Sequence, residues 1–203
     1  MRIGILGGTF NPPHLGHLVC AQEAYLQLEL ERVILIPASI PPHKPVDEEP
    51  GIEHRLEMCR LAITGDEARM EVSDLEARRA GTSYTVDTLQ ELRSEMGDSE
   101  LFLIVGGDVA AGFGSWRQPE RVLSLATLAV AARPGTALEG VERGLAELEG
   151  GSRTRFFQMP EIGVSSTMLR ARIRDGQPTR YLLPEAVRAY AEEQGLYRGI
   201  QSQ

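Results

Sequence analysis

Short apolar runs of β type alternate along the chain with segments whose apolar residues recur at helical spacing. The runs lie at Ile3–Leu6, Val33–Pro37, Met70–Val72, Leu101–Val105 and Leu128–Ala132, with a weaker sixth at Arg155–Gln158. Each is strand-length and bounded by turn residues, so each reads as a buried strand. Between them Leu15, Leu18, Val19, Tyr25 and Leu26 follow a helical period. Val86, Leu89, Leu92 and Met96 do the same, as do Leu138, Val141, Leu145 and Leu148. Strands alternating with helices predict an α/β fold, a mostly parallel, doubly wound sheet with right-handed crossovers. The last third changes character. Ser165–Asp175 and Pro184–Gln194 read as helices stopped by Gly176 and Gly195, with Pro184 suited to a first helical position. The expected domain is a single one over residues 1–203, with residues 165–197 as a helical C-terminal section. Irregular stretches are expected at Ala38–Gly51 and Asp74–Thr82.

Composition narrows the class. The chain has 203 residues, 42% hydrophobic and 25% charged, as an ordinary globular protein does. A net charge of -8 argues against an extended nucleic-acid surface but leaves room for a small basic pocket. No apolar run approaches a membrane span, and Met1-Arg2-Ile3 opens directly into a strand. The expectation is a cytoplasmic protein with no membrane and no nucleic-acid partner. Cys20 and Cys59 fall on apparent helices and read as buried, reduced and inert.

Ligands of doubly wound sheets sit outside the carboxyl ends of the strands, so the residues after each run carry the candidate chemistry. After the first run comes Gly7-Gly8-Thr9-Phe10-Asn11-Pro12-Pro13-His14-Leu15-Gly16-His17. A glycine turn leading into a helix presents unpaired N–H groups at the positive end of the helix dipole, which suits phosphate. The bland reading is a tight turn in which Gly7 and Gly8 only permit unusual dihedrals. The stretch is neither a Gly-x-Gly-x-x-Gly fingerprint nor a Walker loop. His14 and His17 share one side of the first turn. They lack the partners and spacing of a zinc set, which favours hydrogen bonding to phosphate oxygens over metal ligation.

The remaining candidates each have a plain structural explanation beside the chemical one. Pro41-Pro42-His43-Lys44-Pro45 is either a stiff linker, which composition favours, or a flap carrying His43 and Lys44 over a phosphate. Gly106-Gly107-Asp108 offers a carboxylate to ribose hydroxyls or an N-cap to the next helix, and the two are compatible. Trp116, the lone tryptophan, has small or polar neighbours. Stacking on a ligand ring is favoured over folding back into the core. Ser165-Ser166-Thr167-Met168-Leu169-Arg170 opens a helix with Arg170 on the same face as Ser166. Amides, hydroxyls and a guanidinium converging there exceed what a cap requires and suit a polyphosphate. In Ser83-Tyr84-Thr85, Thr85 reads as an N-cap.

These motifs, in this order, resemble the bacterial nicotinate mononucleotide adenylyltransferases, within a superfamily of phosphate-binding Rossmann-like folds. The resemblance runs from Gly7 to about Tyr197. The loop from Gly7 to His17 and the segment Ser165–Arg170 look like the two superfamily signatures. Pro41-Pro42-His43-Lys44, His54-Arg55, Ser83–Leu89, Gly106-Gly107-Asp108 with Trp116, and Tyr181–Pro184 are similar to features of the nicotinate branch. The resemblance implies adenylyl transfer from ATP to nicotinate mononucleotide, giving deamido-NAD and pyrophosphate, with magnesium accompanying ATP. It assigns His14, His17, Lys44 and Arg170 to catalysis. Gly7, Gly8, Thr9, Phe10, Gly16, Gly106, Asp108, Ser165, Ser166 and Thr167 are assigned to ATP, and His43, Tyr84, Thr85 and Trp116 to the pyridine nucleotide. No metal-ligating side chain is implied, and a homo-oligomer is left open. Asn11 stands where many relatives carry Asp, which matters if that carboxylate helps place magnesium. Gly107 replaces a common Ala. The alternatives are a relative acting on nicotinamide mononucleotide or phosphopantetheine, and a non-catalytic nucleotide sensor.

Overall fold

The structure is a computed structural model that describes residues 1–41, 50–79, 81–133 and 138–198. Its strands are β1 (Arg2–Gly8), β2 (Arg32–Pro37), β3 (Met70–Val72), β4 (Glu100–Gly106), β5 (Thr127–Ala132) and β6 (Arg155–Gln158). The helices are α1 (Leu15–Gln27), α2 (Ile52–Ala62), α3 (Leu75–Arg78), α4 (Thr85–Met96), α5 (Gly107–Ala111), α6 (Pro119–Leu125), α7 (Glu139–Ala146), α8 (Ser166–Arg174) and α9 (Glu185–Glu193). The strands form one sheet in the order β3-β2-β1-β4-β5-β6, and every pairing is parallel. All six apolar runs are therefore strands, the weak sixth included. The sheet is the Rossmann-like one that the resemblance implies.

The runs of the four inner strands are continuous because both sheet faces are covered. Along β4, Leu101, Leu103 and Val105 enter one core with Ile3 and Ile5 of β1 and Leu128 and Val130 of β5. The alternate residues Phe102 and Ile104 enter the opposite core with Leu6, Ala129 and Ala131. Helices α4 and α6 cover the first face. Helix α1 covers the second with Cys20, Ala21 and Ala24. The residues that α1 buries deepest are thus its small ones, whereas Leu26 is 55% exposed. A third cluster joins α8 and α9 to α2 through Met58, Leu169, Leu183 and Val187. That contact seats the C-terminal section beside the first loop.

Several local expectations shift by a residue or two. Thr85 is the first residue of α4 and Tyr84 its N-cap. Pro184 is the N-cap of α9 rather than its first residue. Gly176 and Gly195 do follow their helices, at φ +67° and +65°. The stretch from Asp74 to Thr82 contains the short helix α3. No described helix is long and apolar enough to cross a membrane.

Candidate active site

A cleft of about 510 Å³ opens at the carboxyl ends of β1, β4 and β5. Strands β1 and β4 are neighbours, yet the chain leaves them toward opposite edges of the sheet, so a crevice forms between their ends. Gly7, Gly8 and Thr9 line it from β1, and Gly106 from β4. His14, Gly16 and His17 line it from the start of α1. Tyr84, Thr85 and Trp116 form another wall, and Ser165 contributes from the second motif.

The loop after β1 is organised by its histidines. His14 is the N-cap of α1, and its Nδ1 accepts the Gly16 N–H at 3.1 Å. His17 sits at the third helical position, and its Nδ1 accepts the His14 N–H at 3.2 Å. The pair forms a reciprocal capping box built from two imidazoles. Because both Nδ1 atoms accept, the proton of each neutral ring is on Nε2. The rings lie against each other, centroids 3.8 Å apart, and the His17 ring also meets Phe10 at 4.9 Å. Phe10 is buried beneath the loop with φ +50°. Gly7 and Gly8 do not have positive φ, so unusual dihedrals are not their purpose. A Cβ on Gly8 would press on the Phe10 ring at 3.3 Å, and one on Gly16 would meet His14 Cε1 at 3.0 Å. These glycines keep room for the two rings.

Burial holds both imidazoles neutral. The pKa of His14 is lowered to about 4 and that of His17 to about 3, mainly by loss of solvent, with His14 adding repulsion at His17. A histidine more acidic when folded binds fewer protons than its unfolded counterpart between those values and about 6.5. Stability therefore rises with pH through that window and is lost as pH falls. For His14 alone, the full shift amounts to about 3 kcal/mol. Urea unfolding between about pH 7 and about pH 5 is expected to show this loss, and His14→Gln is expected to flatten the slope.

The second motif braces the first. Ser165 caps α8 by accepting the Met168 N–H at 3.2 Å. The Ser166 hydroxyl donates to the Pro12 carbonyl at 2.9 Å, and Arg170 Nη1 donates to the Asn11 carbonyl at 2.9 Å. Ser166 and Arg170 do share a face, as expected, but that face holds consecutive carbonyls of the loop. Neither lines the cleft, nor do Thr167, Phe10 and Asp108. Asp108 is in the first turn of α5, whose N-cap is Gly106, so the N-cap reading of Asp108 fails. Its carboxylate is 86% exposed and lies 3.9 Å from Arg133. Trp116 partly folds back toward the core, as its structural reading had it. One side meets Phe113, centroids 5.0 Å apart at 41°, and the residue also lines the cleft. His43 and Lys44 lie outside the described residues.

Three charged residues that line the site were not singled out by the motifs. Arg133 lines the cleft just after β5, where the rule of polar residues following strands could have found it. Arg117 also lines it, with its guanidinium 4.5 Å from the Tyr84 ring centre and 3.7 Å from Asp87. Glu76 of α3 reaches the cleft wall and accepts the Thr88 hydroxyl at 2.6 Å. Arg55, which the resemblance points to without giving it a role, is 1% exposed. It donates to the carbonyls of Thr9, Ala38 and Ser39 at 2.9, 2.7 and 3.1 Å. It thereby ties the loop after β1 to the loop after β2. Cys20, though at the cleft, is held as a thiol by burial, which raises its pKa to about 12. Among the described residues no three His, Cys, Asp or Glu side chains converge as metal ligands. Asn11 does not line the cleft either, and its side chain faces Tyr197.

Residues 5–172 match the model of the cytidylyltransferase-like family. A relative from Desulfitobacterium hafniense, named "Probable nicotinate-nucleotide adenylyltransferase", is 44% identical over 97% of this chain and 96% of its own. The chain belongs to this family. A second member so named, from Thermus thermophilus, is also 44% identical and covers 98% of this chain and all of its own. Among solved structures, the Plasmodium falciparum nicotinic acid mononucleotide adenylyltransferase complexed with NaAD superposes with a TM-score of 0.76 over 97% of each chain. At 15% identity, that likeness establishes a shared fold for this nucleotidyltransferase.

Proposed function

We propose that this enzyme transfers the adenylyl group of ATP to nicotinate mononucleotide, releasing pyrophosphate and forming the deamido dinucleotide in NAD biosynthesis. The observation that carries the reading is the cleft itself. A loop with two Nε2–H donors stands on one side of the sheet's crevice and an aromatic wall of Tyr84 and Trp116 on another. The first suits phosphates and the second a pyridine ring. Full-length similarity to relatives named for this reaction supports it.

The chemistry needs no protein base. A phosphate monoester is close to doubly charged at neutral pH, so it can attack the α-phosphorus of ATP directly. One phosphate oxygen forms the new P–O bond while the bond to the β-phosphate bridging oxygen breaks, and pyrophosphate leaves. The protein aligns the two and offsets their repulsion. In this reading His14 and His17 donate to phosphate oxygens, assisted by the amides of Gly7–Thr9 and by Gly16. Ser166 and Arg170 hold the loop from α8 and so serve the ATP phosphates through it, with Ser165 at the cleft wall and Thr167 beside Arg170. Lys44 neutralises charge, while Gly106 and Asp108 face the adenosine ribose. Trp116 stacks on the pyridine ring, and His43 and Tyr84 complete its surroundings with the backbone at Thr85. Magnesium, when bound to ATP, supplies charge neutralisation. We read residues 1–203 as one nucleotidyltransferase domain and place the reaction in the cytoplasm, which the buried thiols of Cys20 and Cys59 support.

The test offers ATP and magnesium with nicotinate mononucleotide, nicotinamide mononucleotide or phosphopantetheine, and follows pyrophosphate. The expected result is the highest kcat/KM with the nicotinate form. A clear preference for the amide overturns the acceptor. Binding of ATP without pyrophosphate release from any acceptor would identify a sensor instead.

A further inference from the structure

The back of the phosphate loop is closed by a residue from the far end of the chain. After α9, Gly195 and Tyr197 both adopt positive φ, +65° and +63°. For a bulky residue such as tyrosine that region is strained by about 1–3 kcal/mol and persists only when the surroundings hold it. Here they do. Tyr197 is buried, and its ring packs in the cluster of Met58, Leu169 and Leu183. Its hydroxyl donates to Asn11 Oδ1 at 2.6 Å. Asn11 is only 2% exposed, and its Nδ2 has no hydrogen-bond acceptor among the described residues. The orientation of that buried carboxamide is thus set by the Tyr197 hydroxyl. The backbone of the same residue is held by Arg170, and that of Pro12 by Ser166. Two residues further on, His14 caps α1.

We propose that Tyr197 is a positioning residue for adenylyl transfer: its hydroxyl fixes Asn11, and through the short Asn11–His14 segment it sets the placement of the His14–His17 pair over the reacting phosphate. This rests on the function proposed above. The main-chain bonds from α8 set where the loop lies, and the side-chain bond to Tyr197 limits its rotation. Removing the hydroxyl takes away the bond that orients a buried carboxamide, and such a group relaxes toward water. The loop carrying the two donors moves with it, and misplaced donors lose most where charge develops, in the transition state.

Tyr197→Phe keeps the ring in its cluster and removes only the hydroxyl. The expected outcome is a kcat about tenfold lower, with KM for both nucleotides within about twofold of wild type. Asn11→Ala is expected to lower kcat similarly, and the double variant no further, because both break one connection. Histidine proton resonances supply a readout independent of turnover. In Tyr197→Phe those of His14 and His17 are expected to titrate nearer their ordinary range as the loop admits water. Tyr190→Phe removes another hydroxyl of the same section, bonded at 2.9 Å to His54, and is expected to turn over normally. Unchanged kcat in a folded Tyr197→Phe variant overturns the proposal. So do losses at Asn11 and Tyr197 that multiply independently, or an equal loss in Tyr190→Phe. Wild-type protein without adenylyl transfer would instead refute the proposed function, which keeps the two failures apart.

Discussion

His17→Ala is expected to lower kcat by about 10²–10³-fold, the usual cost of removing a donor aimed at developing charge. The ring accepts the His14 N–H through Nδ1, which leaves Nε2–H as its one donor. Alanine keeps the helix and removes that donor, along with one capping contact worth about 1 kcal/mol. The three cores do not depend on His17, so the variant should unfold cooperatively near the wild-type midpoint. Pyrophosphate release at saturating substrates, beside thermal unfolding of the same preparation, separates the effects. Near-normal turnover in a folded variant removes His17 from the assigned role. A loss of turnover matched by a collapse in stability assigns it to the fold instead.

Trp116→Ala is expected to raise KM for the pyridine nucleotide by about tenfold or more while changing that for ATP little. Stacking of a base on an aromatic side chain is worth about 1–3 kcal/mol, which corresponds to roughly five- to 150-fold. Phe113 supports one side of the indole, so the ring is already oriented when the substrate arrives. Trp116→Phe should recover part of the loss because a flat face remains. Equal effects on both nucleotides, or none, count against stacking.

The four inner strands were legible because burial on both faces leaves uninterrupted apolar runs, whereas the edge strands β3 and β6 carry exposed polar residues and gave the weakest signals. The loop after β1 was legible because its glycines, prolines and histidines have few other reasons to stand together. What escaped depends on distance along the chain. Arg55 meets Thr9 across 46 positions, and Tyr197 meets Asn11 across 186, with no local pattern to announce either contact. Helix starts moved by a residue because the cap is decided by backbone geometry, which places Tyr84 outside α4 and Thr85 inside it. In the second motif, spacing correctly put Ser166 and Arg170 on one face. It could not tell that a neighbouring loop presents two carbonyls to that face. Small side chains misled in the other direction. Cys20, Ala21 and Ala24 form the buried side of α1, where larger apolar residues had suggested the seam.

The imidazole pair also shapes how the enzyme treats anions it should not keep. A neutral donor attracts only at contact range, whereas a full positive charge is felt out to the screening length of the solution, about 8 Å at physiological ionic strength. With His14 and His17 uncharged, this side of the cleft recognises where oxygens sit around phosphorus more than how much charge they bring. The chain as a whole carries -8, and among the described residues the positive charge at the cleft comes from Arg117 and Arg133 on its other walls. Inorganic phosphate and departing pyrophosphate, which match the charge of the substrates but not the spacing of their oxygens during transfer, would therefore gain little by lingering at the imidazoles. This side of the cleft favours release after each turnover.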